Sequence, residues 1–147
     1  RIGAEGLGGE GGTTGRFMAE LRQRVFGMRG VTFTGRGGVA TTDPLPQSAF
    51  RLGGLKTVRG FDYGTYQGQA FWSAQGDWTP LKGKVRPVLF VDVGQAGTVG
   101  GVFSQQPLVG AGAGVSFFNG IVRFDLSVPL AGPAQGLRFD IQFGAPR

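Results

Sequence analysis

The chain of 147 residues contains no cysteine and no histidine. Those absences exclude disulfides, Cys or His metal ligands, and every catalytic dyad or triad built on a thiol or an imidazole. Acids are scarce as well, nine against fifteen basic residues, for a net charge of +6. No run of about 18 apolar residues occurs, so no transmembrane helix is expected. The sequence begins at Arg1 and shows no initiator Met, apolar leader region or cleavage site. The expectation is a mature or truncated piece of a longer protein.

Glycine is what the chain has in excess: 30 residues, about three times the usual share, without the G-X-Y period of collagen. Glycine and proline together reach the range of disordered chains. Thirteen phenylalanines and several alternating segments argue for a folded one. The basic balance admits nucleic acid as a partner. Here the basic residues are spread along strand-like segments, with no helical or aromatic RNA-binding motif, so no nucleic-acid partner is expected. Glycine-rich, aromatic and near neutral in mean hydropathy is the composition of transmembrane β-barrels.

Alternation with period two marks strands whose faces meet different surroundings. Leu137, Phe139, Ile141 and Phe143 oppose Arg138, Asp140 and Gln142. Val122, Phe124, Leu126 and Val128 oppose Arg123, Asp125 and Ser127. Val85, Leu89, Val91 and Val93 oppose Lys84, Arg86 and Asp92. Near the start, Phe17, Ala19, Leu21 and Val25 oppose Glu20, Arg22 and Arg24, with Gln23 out of pattern. A soluble sandwich buries the apolar face; a membrane barrel turns it to lipid and keeps the polar face in a hydrated lumen. Alternation alone fits both.

Connection lengths separate them. Strands are predicted at about 1–8, 17–28, 30–40, 68–79, 84–94, 107–118, 121–130 and 136–144. Short links fall at Met28-Arg29-Gly30, Leu81-Lys82-Gly83 and Asn119-Gly120, the last a type I′ hairpin signal. Long links fall at 9–16, 41–67, 95–106 and 131–135. Short turns at one end and long loops at the other describe a bacterial barrel, and strands of about 9–11 residues suit a tilted crossing. An eight-stranded barrel is filled by its own side chains, leaving no room for loop 41–67 to fold inward. An open sheet leaves edges that lipid does not tolerate. The expected fold is therefore all-β and antiparallel: about eight C-terminal strands of a roughly 16-stranded transmembrane barrel. Residues 1–147 form one domain.

Within the longest link lies Phe50-Arg51-Leu52-Gly53-Gly54-Leu55-Lys56-Thr57-Val58-Arg59-Gly60-Phe61. Taken alone, Arg59 reads as an exposed loop arginine. Its glycines permit positive φ and close backbone approach, and Val58 and Phe61 flank the charge with apolar grip. Further on stands Phe90-Val91-Asp92-Val93-Gly94. These two motifs, in this order, resemble those of the BamA/TamA superfamily of outer-membrane assembly and secretion barrels (bacterial surface antigen type). The resemblance implies that the loop of Gly53, Gly54, Val58, Arg59, Gly60 and Phe61 folds into the lumen. Arg59 would then pair with Asp92 of the strand motif that also holds Phe90 and Gly94. Asp77, facing the same way as Ser73, Gln75 and Thr79, is the second choice of acceptor.

The segment Gly110-Ala111-Gly112-Ala113-Gly114-Val115 lacks the G-x-G-x-x-G register and a following helix, so it is no phosphate loop. It reads as a glycine-lined strand against which an inward loop packs. The glycine-rich stretch Gly6 to Gly15 reads as a loop. Pro87 departs from an ideal central strand, but it sits near the turn end, where a bulge would be tolerated. Arg123 to Leu130 resembles the family's penultimate strand. Gly136, Leu137, Phe139, Ile141 and Phe143 resemble its C-terminal strand signal. In all, the resemblance covers about residues 45–147.

What the resemblance implies is an integral protein of a Gram-negative outer membrane that folds and inserts other barrel or autotransporter proteins. Its partners would be the lipid bilayer, unfolded outer-membrane or secreted substrates, and accessory assembly proteins. No cofactor, no metal and no catalysis are expected. Two alternatives share the motifs: a two-partner-secretion pore exporting a dedicated substrate, and a barrel anchoring an upstream enzyme such as a patatin-like lipase.

Overall fold

A computed structural model describes residues 2–9, 12–24, 30–40, 49–81, 83–133 and 136–144. The strands are β1 (Ile2–Gly9), β2 (Gly12–Arg24), β3 (Val31–Ala40), β4 (Phe50–Leu52), β5 (Tyr66–Gly68), β6 (Ala70–Trp78), β7 (Val85–Gly97), β8 (Leu108–Phe117), β9 (Val122–Ala131) and β10 (Arg138–Phe143). The chain is all-β. Eight strands form one antiparallel sheet in the order β1-β2-β3-β6-β7-β8-β9-β10, and β4 and β5 pair separately within the long loop. Sheet neighbours are nearly all sequence neighbours, so the long loop is the one excursion among the described residues. The sheet does not close: β1 and β10 are its edges.

The sheet wears its apolar side chains outward. Phe33, Trp78, Leu89, Val91, Phe124, Leu126, Phe139 and Ile141 are all exposed. On the opposite face Thr34, Ser73, Gln75, Asp92, Asp125 and Ser127 are buried. This reverses the water-soluble arrangement, in which the polar face is the wet one.

Covering that inner face is the loop, and the apolar core lies between the two. Phe50, Leu52, Val58 and Phe61 from the loop pack with Ala40, Phe71, Ala96 and Leu108 from the strands. Leu52, Val58 and Phe61 are fully buried. Each such side chain contributes about 1.5–3 kcal/mol, so the core stabilises the docked loop rather than the sheet alone.

Two local expectations are corrected. The stretch 9–16 and the Gly6 to Gly15 segment that overlaps it are, over their described residues, strand rather than loop. β1 reaches Gly9 and β2 starts at Gly12, the two glycines paired opposite each other, because glycine's lack of a side chain does not prevent ladder pairing. The 119–120 turn is not a two-residue type I′ hairpin but a 3₁₀ turn over Phe118–Gly120. Phe118 takes a positive φ of 51°, and its N–H donates to the Lys84 carbonyl of the adjacent turn, which removes it from the hairpin ladder. Pro87 needs no bulge: β7 pairs with β8 in unbroken register there, and the register shift in the sheet lies between Val109 and Gly110. Pro87 and Pro129 are tolerated for another reason: at each, the strand has a neighbour on one side only, beyond the last pairs Leu89–Trp78 and Ser127–Arg138. The links at Met28-Arg29 and Lys82, and Val25, lie outside the described residues.

Candidate functional site

Residues 53–61 form a tight turn whose tip points at β7. Gly53 and Gly54 hold φ of 112° and 84°. A side chain at Gly53 would stand 2.1 Å from the Asp62 carbonyl. The Thr57 hydroxyl donates to the Gly53 carbonyl and accepts from its N–H, both at 2.9 Å. An isolated bridge joins Gly54 to Val58. The loop therefore presents Arg59 with little freedom left to lose.

Arg59 is 3 % exposed and Asp92 is fully buried. Nε and Nη2 donate to the two Asp92 oxygens, each at 2.6 Å, the planar bidentate contact that a lysine cannot make. The Arg59 backbone N–H adds a third bond to Asp92, at 2.9 Å. The remaining nitrogen, Nη1, donates to Asp77 at 2.9 Å. Both acceptors considered from the sequence are thus engaged at once. Burial disfavours the cation, but the hydrogen bonds and charge of Asp92, with help from Asp77, hold the Arg59 pKa above that of a free arginine.

The other motif residues surround this pair. The Phe90 ring lies under the guanidinium, 3.8 Å from ring centre to Arg59 Cζ, a cation–π contact. At Gly94 a side chain would meet Val58 Cγ2 at 3.1 Å, so its absence seats Val58 against the wall. Gly60, with φ of 92°, passes the backbone of β9 at Val128. Phe61 is buried beside Gly132 and Leu108. The glycines of β8 line the same face. A Cβ at Gly110 would collide with the Arg59 carbonyl, at Gly112 with the Phe90 ring, and at Gly114 with the Asp125 carboxylate.

In the closing strand Phe139, Ile141 and Phe143 alternate outward and exposed. Gly136, with φ of 107°, and Leu137 precede β10 and take no part in it.

The contacts of four residues are not evident from the sequence. Arg36 of β3 donates to Glu20, to Gln75 and to the Lys56 carbonyl of the loop. Gln75 donates to the Leu55 carbonyl at 3.2 Å. Arg123 bridges Asp125 at 2.7 Å and Asp77 at 3.0 Å, joining β9 to the Arg59 cluster. Arg138 of β10 pairs with Asp62 of the loop and with Asp140. A signal for Arg36 was present: it shares a period-two face with Thr32 and Thr34 between outward Phe33 and Val39.

The arrangement fastens one loop to the inner wall, with contacts reaching from β3 to β10. Residues 23–117 match the family model described as haemolysin secretion/activation protein ShlB/FhaC/HecB. A search of curated proteins gave no match. The matched span contains both the loop motif and the strand motif. The family is one of outer-membrane secretion transporters, not of enzymes, and is related to the superfamily that the motifs resemble.

Proposed function

Because the chain belongs to the haemolysin secretion/activation protein family, we propose that it forms part of the wall of an outer-membrane pore that exports a dedicated protein. The apolar outer face meets lipid, and the polar inner face lines the lumen. The open edges of the sheet pair with further strands of a roughly 16-stranded barrel, since a lipid-exposed edge leaves backbone groups unsatisfied. Loop 49–68 occupies the lumen at rest, and the Arg59–Asp92–Asp77 cluster sets its position.

The observation that carries this reading is the buried Arg59–Asp92 pair on the inner side of a sheet whose outer side is apolar and exposed. A charged pair of this kind fixes a conformation more than it adds stability. A passenger crossing the lumen displaces the loop, and the cluster returns it afterwards.

A second reading, assembly and insertion of other barrel proteins, is favoured by the place of β10 at the edge of the sheet, where a barrel seam could open. An edge strand can template an incoming hairpin by β-augmentation. Depleting the intact parent protein in its host, with quantitative proteomics of outer membrane and medium, separates the two. Loss of one exported protein with an unchanged membrane supports the pore. A broad fall across many barrel proteins contradicts it and supports insertion.

A further inference from the structure

At the short-turn end of the inner face, below the clamped loop, a cavity of about 250 Å³ is lined by Arg22, Arg24, Arg86 and Arg123, with Asp77 and Ser116 among the remaining residues. The four arginines come from three strands. Arg22 and Arg24 close β2, Arg86 opens β7 and Arg123 opens β9. Their register partners place them on one face: Arg22 opposite buried Thr34, and both Arg86 and Arg123 opposite buried Ser116.

The cations outnumber the acids at hand. Asp77 already accepts from both Arg59 and Arg123, and Asp125 accepts from Arg123 and Gln142. Arg86 Nε and Arg123 Nη2 are buried and have no hydrogen-bond partner among the described residues. An orphaned buried donor costs free energy, and two on converging guanidinium groups point to an acceptor supplied from outside. Guanidinium forks match carboxylates in a planar bidentate geometry.

We infer that this cavity binds carboxylate side chains of an acidic stretch of polypeptide as it enters the lumen. The inference rests on the proposed pore and names the chemistry of its client. It also gives the client a lever. An arriving carboxylate that engages Arg123 competes with Asp77, and Asp77 is one of the two acids holding Arg59.

The test uses the intact parent protein, folded in detergent, and a short fluorescent polyglutamate peptide read by anisotropy. Polyglutamate should bind, and an uncharged Ser-Gly peptide of equal length should not. Arg86→Gln should weaken binding about tenfold, Arg86→Lys should restore part of it, and Arg51→Gln, outside the cavity, should leave it unchanged. Added polyglutamate should also speed trypsin cleavage after Lys56, as the loop loosens. Equal affinity in wild type and Arg86→Gln overturns the site. Polyphosphate binding much more tightly than polyglutamate at equal charge overturns the peptide assignment in favour of a phosphate ligand. The proteomic experiment judges the pore separately: a broad loss of barrels would sink export, while the anisotropy result would still decide the acidic site.

Discussion

The carbonyl of Arg59 occupies the space that any side chain at position 110 would need: a Cβ on Gly110 would stand 1.9 Å from it. The glycine is thus a socket for the loop backbone, and the neighbouring motif residues can be understood only with the loop in place.

Gly110→Ala is expected to lift the loop from β8 or shift the strand, at a cost of about 1–3 kcal/mol. Gly100→Ala, where a Cβ meets nothing within 4 Å, serves as the control and should be neutral. Thermal unfolding of the parent protein in detergent, followed by the loss of its folded band on a gel, checks both. Equal stability of the two variants would remove the socket.

Arg59→Ala strands a buried carboxylate, and such losses run to about 3–5 kcal/mol. Water in the proposed lumen would bring this towards the lower end. Combining Arg59→Ala with Asp92→Ala should cost less than the two singles added, because the partners no longer leave one another unpaired. Arg59→Lys should fall between wild type and Ala, keeping the charge but losing the fork and the stacking on Phe90. Strict additivity in a denaturation cycle would mean that the pair is not coupled.

Arg36 is a second clamp. It holds the Lys56 carbonyl from β3, on the far side of the loop from Arg138. Arg36→Gln should open the loop locally without unfolding the barrel. Trypsin cleavage after Lys56, which is exposed, should rise several-fold while the melting temperature moves little. An unchanged cleavage rate would assign Arg36 to the wall alone.

The outer face makes a different prediction. Leu126 is 47 % exposed and points away from the loop. In lipid, Leu126→Arg should cost about 2–4 kcal/mol near the midplane. On a face bathed by water the same change would stay within about 0.5 kcal/mol. Reversible unfolding in phospholipid vesicles distinguishes the two surroundings.

Much of this was legible in the sequence because a strand writes its two faces at period two. Phe124 and Leu126 against Arg123 and Asp125 fixed the faces of β9 before any coordinate did. The approach of Arg59 to the strand motif was legible only through resemblance, since nothing in local spacing brings residue 59 to residue 92. The glycine stretch around residues 6 to 15 misled, because glycine suits loops and paired strands alike and pairing is a non-local property. The contacts of Arg36, Arg123 and Arg138 were hidden for the same reason. Each joins residues far apart in sequence, and their partners are chosen by where the loop lies.

The central claim, that the loop tip is seated on β7 inside the barrel, has a direct test in a chain without cysteine. Val58→Cys and Gly94→Cys place two thiols where the Val58 side chain would touch a Cβ at position 94, 3.1 Å away. In the intact parent protein in native membranes, mild oxidation should bridge them in high yield. Adding Asp92→Ala should lower that yield, because the tip is no longer held. Two cysteines that label freely with a thiol reagent and do not bridge, in the presence of Asp92, would contradict the account.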